Sequence, residues 1–158
     1  MRPSFIRLVG VICFLCSFFS AFSQVTLFGD VYIAPKIEIH IVSGKLFFES
    51  GKIITDRGNN AGILSFAKGS SWEWANHDTH VDGFIRFYEA SAFTFPEGHD
   101  NILQPLRISN FSGSDHFDLA YQHRGHDVTS APNGIAGVSD THFWELRNPG
   151  SKGQVMLS

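Results

Sequence analysis

Past residue 16 this sequence contains no cysteine: its two, Cys13 and Cys16, both lie in an apolar opening stretch. Once that stretch is removed, disulfides, thiolate metal sites and a cysteine nucleophile are excluded, and packing alone must hold the fold. Basic residues are also scarce, 12 Lys and Arg against 15 Asp and Glu, for a formal net charge of −3. The phosphates of a nucleic acid need a basic patch, so no nucleic-acid partner is expected. No segment has the three-to-four-residue apolar spacing of an amphipathic helix. A G-x-S-x-G elbow, a glycine-rich phosphate loop and an H-E-x-x-H helix are missing as well, so the chain is read as not an enzyme.

What is present begins with an export signal. Arg2 and Arg7 precede an apolar run from Leu8 to Phe22, and Ala21 and Ser23 place small residues two apart before Gln24. Residues 1–23 therefore read as a cleavable signal peptide, too short for a comfortable membrane span, with Gln24 as the new amino terminus. Ile12 and Leu15, rather than small residues, precede the two cysteines, which argues against a lipid anchor. The mature chain is expected to have no stable membrane span, to be secreted or cell-surface exposed, and to meet the secretion machinery and signal peptidase as partners.

From Val25 onward the pattern is short apolar runs of period two, punctuated by Gly, Asn, Asp and Pro, as in an all-β protein. In the run from Lys36 to Val42, Ile37, Ile39 and Ile41 point one way and Lys36, Glu38 and His40 the other, which predicts a strand with one buried face. Further strands are expected at Leu46 to Glu49, Lys52 to Thr55, Ile63 to Ala67, Ser71 to Ala75 and Phe84 to Tyr88. Residues 24–90 read as a short-stranded β-solenoid-like region. After Ala90 the strands lengthen, with Phe93 and Phe95, then Phe117, Leu119 and Tyr121, at alternate positions. Residues 91–158 read as an antiparallel β-sandwich-like region. Gln154 to Ser158 is an alternating run with nothing after it, so the sequence is expected to be truncated at the carboxy end.

Eight histidines invite a metal hypothesis. The densest group is His77, Asp78, His80 and Asp82, with His123, His126 and Asp127 as a second set near Asp115 and His116. Polar residues of this kind also populate turns for backbone reasons, so no metal and no cofactor is expected. Paired carboxylates, Asp78 with Asp82 or Asp115 with Asp118, suit acid and base roles in glycoside cleavage, which leaves a polysaccharide-active β-solenoid enzyme as a third reading. Trp72 and Trp74 are two apart; on one strand face they would form a platform for sugar rings, and buried they would be core. Surface glycans or other surface proteins are the expected ligands.

Three segments carry a family resemblance: Val81-Asp82-Gly83-Phe84-Ile85-Arg86, Phe93-Thr94-Phe95-Pro96-Glu97-Gly98 and Pro105-Leu106-Arg107-Ile108-Ser109. Phe143-Trp144-Glu145-Leu146 and Val155-x-Leu157-Ser158 continue it. The succession resembles the amino-terminal region of large secreted surface proteins of Bacteroidota that carry a sorting domain for type IX secretion; that domain is absent from this sequence. The resemblance implies location and architecture, with Asp82-Gly83 as a hairpin-type turn and Pro96-Glu97-Gly98 as a strand end, and it brings no catalytic residue. The expected function is that of an exported, non-catalytic, adhesin-like structural module, with a carbohydrate-binding module using Trp72 and Trp74 as the alternative.

Overall fold

A computed structural model describes residues 23–88, 92–112, 116–125, 139–147 and 154–157; the signal-peptide reading of residues 1–22 falls outside them. The described residues form strands and turns with no helix. In chain order the strands are β1 (Gln24–Phe28), β2 (Val31–Ile33), β3 (Glu38–Ile41), β4 (Lys45–Ser50), β5 (Ile53–Thr55), β6 (Ile63–Phe66), β7 (Ser71–Glu73) and β8 (Val81–Asp82). Then come β9 (Phe84–Tyr88), β10 (Ala92–Phe95), β11 (Glu97–His99), β12 (Ile102–Leu103), β13 (Leu106–Ser112), β14 (His116–Gln122), β15 (Phe143–Arg147) and β16 (Gln154–Leu157).

Up to β11, consecutive strands go to different sheets. The orders are β1-β4-β7, β12-β11-β8-β5-β2, β15-β14-β9-β6-β3 and β10-β13-β16. Up to β9 every pairing is parallel, so each strand lies beside the one three places later: Gln24 beside Lys45, Lys45 beside Ser71, Val31 beside Ile53, Ile63 beside Phe84. Parallel pairing needs a long connection, which the two intervening strands supply here in place of a helix. Antiparallel pairing enters later, where β14 runs against β9 and β15, and β13 against β10 and β16. β11 alone among the later strands pairs parallel, on β8.

Sharp corners between sheets need residues free of a Cβ. Gly83 stands at φ 145°, and a Cβ there would lie 2.0 Å from the Thr55 hydroxyl oxygen. That hydroxyl accepts the Phe84 N–H at 2.7 Å. Asp82-Gly83 is therefore not the hairpin turn expected of it: β8 and β9, which it joins, belong to two different sheets. The free side of Gly83 is filled by β5.

One buried cluster extends from Leu27 to Leu119, through Ile33, Leu46, Phe48, Ile53, Leu64, Phe66, Val81, Ile85, Phe87, Phe93, Phe95 and Ile108. Its aromatic centre is a chain of rings: Phe66 to Phe93 at 5.1 Å, Phe87 stacked on Phe93 at 4.1 Å, and Phe95 edge-on to Phe93 at 5.0 Å. The expectation of one buried face on β3 needs correction. Ile41 is buried, but Ile37 and Ile39 are 52% and 40% exposed. Strand β3 is the edge of its sheet and starts only at Glu38, so these two side chains lack a neighbouring strand on one side. Val25, Phe28, Tyr32 and Val42 are exposed at the same amino-terminal end of the stack. Strand β14 departs from simple alternation in the other direction, being buried on both faces from Phe117 to Gln122.

Candidate functional site

The densest polar constellation lies where β8, β11 and β14 meet the loop after β5. Arg57, in that loop, donates to Asp82 Oδ1 at 2.5 Å, to the Gly98 carbonyl at 2.9 Å and to the Tyr121 carbonyl at 2.5 Å. The other Asp82 oxygen accepts the Asp100 N–H at 2.8 Å. A guanidinium suits such a hub because its fork of donors reaches several acceptors at once.

Beneath this hub lies a buried carboxyl group. In register, Val31, Ile53, Val81 and Glu97 form one inward-facing column, three aliphatic residues followed by an acid. Glu97 is 0% exposed; its Oε2 accepts the Tyr121 N–H at 3.2 Å, while Oε1 has no hydrogen-bond partner among the described residues. Burial pushes its pKa well above the usual 4.5, with the Arg57 charge opposing. A carboxyl in such a setting is held neutral, since burying the charged form is far costlier than burying the acid. His80 is a second titratable group, fully buried, with Nδ1 donating to the Asn76 carbonyl at 3.1 Å and Nε2 unpartnered among the described residues. Its ring lies against Gly98, where a Cβ would approach Cδ2 to 2.4 Å. Burial lowers its pKa below 6.5.

The two groups give stability opposite pH slopes. For Glu97 the folded pKa is raised, so its contribution is complete below pH 4.5 and declines as pH rises towards the folded value. For His80 the folded pKa is depressed, so its contribution is complete above pH 6.5 and declines as pH falls. Glu97→Gln, which cannot ionise, should leave stability at pH 4 nearly unchanged and raise it progressively towards pH 8. Urea midpoints across that range would show it, and a parallel shift at every pH would sink the assignment.

A second polar column runs along the outer face of the sheet containing β3, β6, β9 and β14, where His40, Ser65, Arg86 and Asp118 are register neighbours. Arg86 grips Asp118 bidentately at 2.6 and 2.9 Å and reaches Glu38 at 3.0 Å. Tyr88 also donates to Glu38 at 3.0 Å, and His40 Nδ1 meets the Ser65 hydroxyl at 2.7 Å. Burial by itself would raise the Glu38 pKa, but Ser65, Tyr88 and Arg86 together hold it below its usual value. The Arg86 pKa is raised, chiefly by its hydrogen bonds to Asp118. Paired ions of this kind fix strand positions; they explain why Asp118 is buried on the outer face of β14.

The residues singled out from the sequence are dispersed by the fold. Asn76 and Thr79 close a tight turn by mutual backbone bonds, which splays the side chains between them. His77 Nδ1 accepts the Leu103 N–H at 3.1 Å, Asp78 is exposed, His80 points inward, and Asp82 serves Arg57. Among the described residues no three His, Cys, Asp or Glu side chains gather as a metal would require. In the second set, the His123 N–H donates to His99 Nδ1 at 2.9 Å; Asp115, His126 and Asp127 lie outside the described residues. Burial and the Arg57 charge lower the His99 pKa.

The two tryptophans part company. Trp72 is half-buried against the core, and its indole Nε1 donates to the Thr94 carbonyl of β10. Strand β7 closes at Glu73, and Trp74 follows at φ 69°, 57% exposed, with its ring 4.7 Å from Phe47. A left-handed residue breaks the two-residue alternation on which a shared platform rests. Beside Trp72 opens a groove of about 460 Å³, lined by Ser70, Ser71, Ala92, Phe93, Thr94 and Arg107.

Sequence reasoning missed Glu97, Arg57 and Arg107. Pro96-Glu97-Gly98 reads as a strand end, and it does end β10, but Glu97 at once opens β11 and turns inward. Arg57 lies in a short polar stretch, and only the long-range pairing shows what it reaches. The chain matches no family model, no curated protein and no solved structure.

Proposed function

We propose that this chain is an exported, non-catalytic structural module of a cell surface or extracellular assembly, adhesin-like in role. The observation that carries the reading is the parallel register of strands three apart around one core: Gln24, Lys45 and Ser71 in one column, Val31, Ile53 and Val81 in the next, Glu38, Ile63 and Phe84 in the third. A repeat of roughly 20 to 30 residues is in the range of solenoid architectures, whose stacked strands make stiff, extended supports. On this reading residues 24–90 wind as a short β-solenoid and residues 91–158 fold back over its end as a sandwich-like cap. The leader-like residues 1–23 support export, with signal peptidase and the secretion machinery as partners and a type IX surface protein of Bacteroidota as the kind of parent. A carbohydrate-binding role is the second reading, favoured by the groove beside Trp72.

The test is made on cells of the native host. Mass spectrometry of the recovered protein should give Gln24 as its first residue, and protease added to intact cells should remove it. Recovery from the cytosol with Met1 retained would overturn the reading.

A further inference from the structure

Strands β7 and β10 are the edges of two different sheets, β1-β4-β7 and β10-β13-β16, and they face each other across the groove without pairing. In the order of the chain β10 follows β9 as β4 follows β3 and β7 follows β6, yet it turns away to pair antiparallel with β13. The indole of Trp72 reaches across the gap and is bonded to the Thr94 carbonyl. This leaves an open trench with a tryptophan on one wall and Ala92, Phe93, Thr94 and Arg107 on the other.

The charge in the trench is specific. Thr94 and Arg107 are directly opposed in register, so both side chains stand on the same face of β10 and β13. Arg57, Arg86 and Arg147 each hold a carboxylate. Arg107, exposed at the groove, holds none among the described residues. The acidic residue of β7, Glu73, is already paired with Lys45. A net acidic chain thus presents, in one groove with an indole and the hydroxyl residues Ser71 and Thr94, a guanidinium without a carboxylate partner among the described residues.

We propose that this groove is a binding subsite for an acidic sugar, a uronate unit of a polysaccharide. The carboxylate pairs with Arg107 in the bidentate manner that guanidinium favours. The apolar C–H face of the sugar ring packs on Trp72, whose only N–H is already engaged, so that the indole offers its carbon surface. Ser71 and Thr94 bond the ring hydroxyls. A groove of this volume accommodates one or two sugar units, and its open form suits a chain passing through. Trp74 takes no part. The assignment goes beyond the surface-module reading and does not depend on it: a cytosolic location would sink that reading and leave this one standing.

The experiment titrates the purified full chain with oligogalacturonate by calorimetry at low and moderate salt. Saturable binding that weakens with salt is expected, and Arg107→Gln should weaken it by about tenfold, the size of one charge-assisted hydrogen bond. Arg107 is exposed and holds no carboxylate among the described residues, so the variant should melt with the parent. Trp72→Phe, which keeps an apolar ring, should bind more weakly by a smaller factor while remaining folded. No binding to oligogalacturonate at low salt would overturn the proposal, as would unchanged binding by Arg107→Gln. Equal binding of polyglutamate would overturn the sugar class, and equal binding of a carboxyl-reduced oligosaccharide would overturn the role of the acid.

Discussion

Phe66→Ala should destabilise the chain by about 3 to 5 kcal/mol, a large part of the roughly 5 to 15 kcal/mol that holds a domain together. Phe66 is 0% exposed and stands in register between Ile41 and Phe87, and its ring also meets Phe93 at 5.1 Å. Phe93 lies beyond residues 89–91, on the carboxy-terminal side of the division expected from sequence texture. Removing the Phe66 ring therefore opens a cavity bordered by both halves, and rings on either side lose their contacts together. The same unfolding should be seen by far-ultraviolet circular dichroism and by tryptophan fluorescence, in one transition shifted to lower urea. Phe66→Ala combined with Phe93→Ala should cost less than the two singly, with a coupling of about 0.5 to 1.5 kcal/mol. Two separate transitions, only one of them moved by Phe66→Ala, would show the halves to be independent.

Arg57→Met should be nearly as damaging, by about 3 to 5 kcal/mol, for a reason unrelated to volume. The methionine fills much of the same space but leaves Asp82 without its cation and the carbonyls of Gly98 and Tyr121 without a donor. Those groups belong to β8, β11 and β14, so the loss loosens the junction where parallel stacking gives way to antiparallel pairing. Arg57→Lys should rescue little, because one ammonium cannot reach three acceptors in that fork. Asp82→Asn in the Arg57→Met background should recover part of the loss by removing the stranded charge. If Arg57→Met unfolds at the same denaturant concentration as the parent, the hub has no structural weight.

What could be read from the sequence divides along a physical line. Strands β4, β5, β6 and β9 were legible because alternation and flanking glycines are local signals, and Phe93 and Phe95 are buried as their spacing predicts. Which strand lies beside which was not legible. Parallel partners here are separated by two other strands, and no local pattern marks Lys45 as the neighbour of both Gln24 and Ser71. The polar sites failed for the same reason. His77, Asp78, His80 and Asp82 are close in sequence but turn four different ways, whereas Arg57, Asp82, Glu97 and Tyr121 are far apart and converge. Glu97 gave no sign at all, since a charged residue between proline and glycine describes a turn as readily as a buried acid. Trp72 was legible as an aromatic with two possible roles, and Trp74 was separated from it only by a backbone angle.

The exposed apolar residues of the first strands give the molecule a direction. Among the described residues, edge strands β1, β2 and β3 each have a neighbouring strand on one side alone, alongside Val25, Phe28, Tyr32, Ile37 and Ile39. At the opposite end β12 runs antiparallel on β11, and β15 on β14, each taking up the backbone of the strand before it. A strand that added to the first end would meet backbone and apolar side chains together. Handling the protein in isolation therefore means keeping the first strands of one copy from those of another.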